Sequence, residues 1–159
     1  MRTRLAKILC VGVLIGLLMG AGTAVAETGT TTNHVTTGKL HARDLMQRAT
    51  NRSRMNHGVH RVSLNARLSE LARRHSVAMA NADELFHTGD PAAYYLRGVK
   101  WHIWGENVGV TGGNVPQLES AFMASTPHRQ NILRPSFYHS AIGAVRMNGK
   151  LWVTVFFYG

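Results

Sequence analysis

Three short stretches set polar, reactive side chains inside apolar, glycine-punctuated sequence: Leu85-Phe86-His87-Thr88, Trp104-Gly105-Glu106-Asn107-Val108, and Ser125-Thr126-Pro127-His128-Arg129 running on to Asn131. Imidazoles, a carboxylate and a hydroxyl are the groups of acid–base, nucleophilic and metal chemistry. Between Arg97 and Gly159 the only acids are Glu106 and Glu119, so a carboxylate wedged between Trp104 and Val108 does not serve solubility. Spacing alone does not make a site of His87, Glu106 and His128, which lie 19 and 22 residues apart and meet only if the fold brings them together. The plainer alternatives are that Glu106 caps a helix or pairs with Arg129, and that Asn107 and Asn131 serve a loop and a cap. His34, His41, His57, His60, His102 and His139 read as surface or packing residues, and His75 as a core histidine.

The elements that must position these residues follow from periodicity. Leu45, Met46, Ala49 and Met55 recur at near-helical spacing before Gly58, which predicts a helix over 41–57. Leu68, Leu71, Ala72, His75, Ala78, Met79 and Ala82 form a second helical stripe with Asn65 as N-cap. Pro91 to Arg97 fits a short proline-initiated helix, and the glycine-flanked 101–110 reads as loop and short strand. A third helix is expected over 116–125, followed by a helical turn at 128–133 that Pro135 stops. The runs 140–146 and 151–158 flank Asn148-Gly149 and predict a closing antiparallel hairpin. Its second strand, LWVTVFFY, is apolar on both faces and is therefore expected at the sheet centre, covered by helices on both sides, with Trp152 and Phe156 buried on one face.

Composition bounds the function classes. The chain has 159 residues and a formal net charge of +10. Arg2, Arg4 and Lys7 precede an apolar run to about Ala21 and an Ala24-Val25-Ala26 cleavage pattern, so residues 1–26 are expected to be an export signal and no stable membrane span is expected after cleavage. Residues 27–38, with six Thr, are expected to be a linker. Beyond residue 26 the charge is about +7, because three basic residues are left behind, and there is no cysteine, since Cys10 is the only one in the chain. Disulfides and thiolate chemistry are thereby excluded from residues 27–159. The basic residues are scattered, with no run longer than Arg73-Arg74, which argues against nucleic acid and for an anionic extracellular surface or plain solubility.

The order N-R-S-R-M-N, LARRHSVAMA, L-F-H-T, W-G-E-N-V, A-F-M-A-S, H-R-Q-N-I-L and G-K-L-W-V-T-V-F-F-Y-G resembles the CAP superfamily (cysteine-rich secretory, antigen 5, pathogenesis-related 1) in its bacterial extracellular form. The resemblance implies an α+β fold, a three-layer α-β-α sandwich around a central antiparallel sheet, with a domain spanning 39–159. It also implies a cleft of two His and two acids able to hold a divalent cation. His87, Glu106 and His128 match three of these, and the second acid falls on Ser125, with Glu119 nearly two helical turns away.

Two imidazoles and a carboxylate suit Zn2+, with an open position for water. His87, His128 and Glu106 are thus the expected metal and catalytic residues, with Ser125, Asn107 and Arg129 lining the cleft. The alternative is metal-free, with Glu106 holding an imidazole to pin loops. Ser125, His128 and Glu106 also have the residue types of a serine hydrolase, but without a G-x-S-x-G setting. The expected function is a secreted binding module at the cell envelope whose ligand is a lipid, wall polymer or protein. Beside it stand a metal-assisted hydrolase using the same cleft, and a carrier of apolar ligands using Phe86, Trp101, Trp104 and Phe122.

Overall fold

A computed structural model describes residues 41–159; the export signal and linker expected over 1–38 lie outside the described residues. Helix α1 (Ala42–Asn56) leads to a two-residue strand β1 (Ser63–Leu64) and helix α2 (Ala66–Ala82). The Asn65 side chain accepts from the Leu68 amide and so caps α2. After a short helix α3 (Pro91–Tyr95) comes strand β2 (Trp104–Thr111). Helix α4 (Val115–Ala124) starts in a capping box of Asn114 and Gln117, and α5 (Thr126–Ile132) follows at once. Strands β3 (His139–Met147) and β4 (Lys150–Tyr158) close the chain.

The sheet order is β1-β3-β4-β2, with β2–β4 and β3–β4 antiparallel and β1–β3 parallel. Asn148 and Gly149 both hold positive φ, 53° and 73°, which makes the expected type I′ hairpin turn. β4 is central, and Trp152 and Phe156 are buried on one face as its two-sided apolar sequence requires. One face of β4 packs with Phe156 and Tyr158 against α2 and α3; the other presents Leu151, Val153, Val155 and Phe157 to α1, α4 and α5. The result is the α-β-α sandwich. A Cβ at Gly143 would collide with the Ala72–Arg73 backbone, so this glycine lets α2 lie directly on the sheet.

One expectation needs correction. Residues 104–111 form an eight-residue edge strand rather than a loop with a short strand, because pairing with β4 along its whole length overrides the weak strand character of Gly105 and Gly109. β1, two residues long, carries no sequence signal of its own.

The loop after α5 is held from below by Arg54. Its fully buried guanidinium donates to the carbonyls of His60 (2.7 Å), Ile132 (2.6 Å), Arg134 (3.1 Å) and Phe137 (2.9 Å). This converts orphan carbonyls at the end of α5 into paired ones.

Candidate functional site

Alternation along β2 sends neighbouring side chains to opposite faces. Glu106 faces the α2 side with Val108, and Asn107 faces α5. Glu106 is only 2% exposed. Its Oε1 accepts from the Thr88 amide (2.9 Å) and lies 3.0 Å from His87 Nδ1, while Oε2 accepts from the Thr88 hydroxyl (2.7 Å). Burial pushes this carboxyl up, but the hydrogen bonds from His87 and Thr88 outweigh burial and leave it below the ordinary value. An ionised carboxylate therefore sits under the protein surface, with Thr88 and His87 tied to it.

His75 joins this group. It was expected to be a core residue, and its Nδ1 does bond the Thr154 hydroxyl at 3.1 Å, yet it also feels the charges of Glu106 and His87 and packs edge-on against Phe86, 5.3 Å between ring centroids. Burial holds its pKa down, against the opposing pull of the Glu106 charge. Its position on the helical stripe hid it, because an inward-facing imidazole over a sheet and one over a carboxylate have the same spacing. Tyr95 is a second contributor without a sequence signal; burial, then the Glu106 charge, raises its pKa.

His128 comes from the other side of the edge strand. Its Nδ1 lies 2.8 Å from Ser125 Oγ, its ring tilts on Phe122, and burial and then His87 lower its pKa. His75 Nε2 and His128 Nε2 are both buried without a hydrogen-bond partner, at 7% and 5% residue exposure. Asn107 donates to the His128 carbonyl (3.0 Å) and accepts from Asn131 Nδ2 (2.9 Å), so both asparagines tie β2 to α5 inside the core. Arg129 donates to the Met123 carbonyl at the end of α4.

The fold thus brings His87, Glu106 and, electrostatically, His128 into one neighbourhood. It gives Glu106 to His87, not to His128, so the Ser125–His128–Glu106 relay of a serine hydrolase is not formed. Glu119 is held at a distance from this cluster, by Ser53 (2.7 Å) and Thr50 (3.3 Å) of α1. Zinc needs convergent donors. Both Glu106 oxygens are engaged within the protein, and among the described residues no three His, Cys, Asp or Glu side chains are placed to hold a metal ion. Of the ligand set expected from His87, His128 and Glu106, the first and last are in contact, and the charge of His87 reaches His128. The four aromatics of the apolar-carrier reading do not line one cavity either: Phe122 is core on the α4 face, whereas Phe86 and Trp101 are 37% and 38% exposed.

Residues 47–157 match the model of the cysteine-rich secretory protein family. The chain belongs to the CAP family. A curated relative, the uncharacterised protein YkwD of Bacillus subtilis (strain 168), is 29% identical over 139 residues, covering 84% of this chain and 53% of its own. The chain therefore spans about half the length of the curated relative it matches. Among solved structures, an extracellular SCP-domain protein of Bacillus anthracis superposes with a TM-score of 0.63 at 20% identity, covering 74% of this chain and 40% of that one. A cysteine-rich secretory protein of Staphylococcus aureus gives 0.60 at 23%, covering 74% and 38%. An outer surface protein of Borrelia burgdorferi gives 0.63 at 13%, covering 74% and 91%. These likenesses show the CAP fold. Among the described residues of this CAP domain no helix is long and apolar enough to cross a membrane.

Proposed function

We propose that this CAP domain is an extracellular binding module of the cell envelope, and that His87, Thr88 and Glu106 form a pinned wall of its cleft rather than hydrolytic machinery. The observation that carries the reading is the state of Glu106: three hydrogen bonds occupy its two oxygens, and its pKa is lowered. A general base needs a lone pair aimed at water and a pKa near the working pH. Glu106 has neither. Its charge instead orders the loop 86–88 against β2, which fixes His87 and Phe86 beside the cleft.

The envelope location is supported by the solved relatives, which are described as extracellular and outer-surface proteins. Export through residues 1–26 belongs to the same proposal. A net charge of about +7 over residues 27–159 favours an anionic ligand, such as a wall polymer or lipid headgroups. The competing hydrolase reading draws on one observation, the unpartnered His128 Nε2.

Co-sedimentation of the protein with isolated anionic wall polymer and with anionic lipid vesicles, at low and high salt, tests the binding role. Salt-sensitive binding by the wild type, with no peptide turnover, is expected. Peptide turnover by the wild type that disappears in folded Glu106→Gln would overturn the reading in favour of the hydrolase.

A further inference from the structure

The sheet has a second edge, opposite β2, and it is incompletely covered. The two-residue turn at Asn148-Gly149 makes Met147 and Lys150 a hydrogen-bonded pair, so Val145, Gly143 and Ala141 also point their backbone groups at β4. Ser140, Ile142, Ala144 and Arg146 then point theirs outward. Two contacts agree with this parity: the Ser140 carbonyl accepts from the Asn65 amide (2.7 Å), and the Ile142 amide donates to Ser69 Oγ (3.0 Å). β1 covers the edge only opposite His139 and Ser140. Among the described residues, the backbone N–H and C=O groups of Ala144 and Arg146 have no partner on this side.

This stretch is bordered by a groove. A cavity of about 370 Å³ runs between the start of α1 (His41, Arg43), the exposed side of α2 (Glu70, Arg73) and the edge residues Ile142 and Ala144. Ala144 is small and half-buried, so the floor is shallow and the backbone reachable. Arg43 and Arg73 line the groove; Glu70 on its wall binds Arg73 (2.9 Å) and, from outside the lining, Arg74 (3.6 Å), while Arg43 holds Asp44 (2.9 Å). Three guanidiniums in and beside the groove thus stand against two carboxylates, and its rim is net positive.

We propose that the outer edge of β3 at Ala144–Arg146 is a strand-addition site for an extended acidic peptide. Backbone pairing to Ala144 and Arg146 supplies sequence-tolerant affinity, and Arg43 and Arg73, which line the groove, select for carboxylates on the added strand. A free strand edge invites such pairing, and helical walls on both sides leave room for one extended chain. The site lies across the sheet from Glu106 and does not depend on the role of that cluster.

The test is amide-resolved NMR with hydrogen exchange, titrating the protein with the peptide acetyl-Glu-Val-Glu-Val-Glu-amide and with its Gln-for-Glu counterpart. Slowed exchange and shifts at Ala144 and Arg146 are expected with the acidic peptide, and binding about tenfold weaker with the neutral one. Ala144→Pro removes an outward N–H without breaking the β3–β4 ladder, and is expected to abolish binding. Arg73→Glu, at an exposed helix position, provides an independent check: it should weaken the acidic peptide and not the neutral one. The proposal is overturned if the acidic peptide does not bind, if Arg73→Glu and a folded Ala144→Pro bind it undiminished, or if the two amides are already protected in the free protein, which would mean that another strand occupies the edge.

Discussion

Thr88 and Glu106 are joined twice: one carboxylate accepts both the amide and the hydroxyl of the same residue, at 2.9 and 2.7 Å. This pair of hydrogen bonds between a loop and an edge strand explains why a buried acid is tolerated where burial alone would neutralise it. Thr88→Val keeps the shape and removes one donor, so it should cost about 1–3 kcal/mol in denaturant unfolding. Glu106→Gln replaces one of two acceptor oxygens, which together face three donors, with a donor of its own, and should cost at least as much. Because the folded pKa of Glu106 is depressed, its stabilisation is present above the unfolded value and is lost as pH falls through the folded one. The acid limb of the wild-type stability curve should therefore flatten in Glu106→Gln; an unchanged limb would contradict the assignment.

Glu119 behaves in the opposite sense. It is buried between α4 and α1, burial raises its pKa, and the hydroxyls of Ser53 and Thr50 only partly offset this. Its favourable contribution belongs to the protonated form and is lost as pH rises through the folded pKa. Glu119→Gln should raise the melting temperature at pH 7.5 and have little effect near pH 4. A loss of stability at pH 7.5 would show that the ionised group is needed.

Arg54 satisfies four carbonyls with one planar group. Lysine presents a point charge without that fork, so Arg54→Lys should still destabilise by about 2 kcal/mol or more, the scale of leaving buried carbonyls unpaired. Equilibrium unfolding measures this directly, and a change within about 0.5 kcal/mol, the usual scatter of surface substitutions, would refute the clamp.

Trp152 lies on the central strand, two residues from its start, at 1% exposure. Trp152→Ala should cost about 3–5 kcal/mol. A loss below about 1 kcal/mol would be incompatible with its placement in a close-packed core.

Much of this fold is legible in the sequence because its signals are local. The Asn148-Gly149 turn, the Asn65 cap and the two-sided apolar run of β4 each carry their own physics, and each forms as the residues predict. β2 is less legible, since its glycines are there for close approach: a Cβ at Gly105 would press on Asn131 and one at Gly109 on Phe122. The site is legible in its residues but not in its pairing. His87 and Glu106 do meet; that Thr88 would bond both oxygens of Glu106, and that Arg129 would turn to the end of α4, depends on tertiary contacts with no sequence period. The motif N-R-S-R-M-N contains Arg54, whose role needs carbonyls some 80 residues away in the chain.

Glu106 pins the loop 86–88 through both of its oxygens, and the proposed binding role has no metal shared by His87 and His128. Calorimetric titration of the protein with Zn2+ at pH 7.4, beside His87→Ala and His128→Ala, tests it most directly. No saturable one-to-one heat that depends on both histidines is expected. One-to-one binding by the wild type, lost in both variants, would contradict it and reinstate the metal-assisted hydrolase.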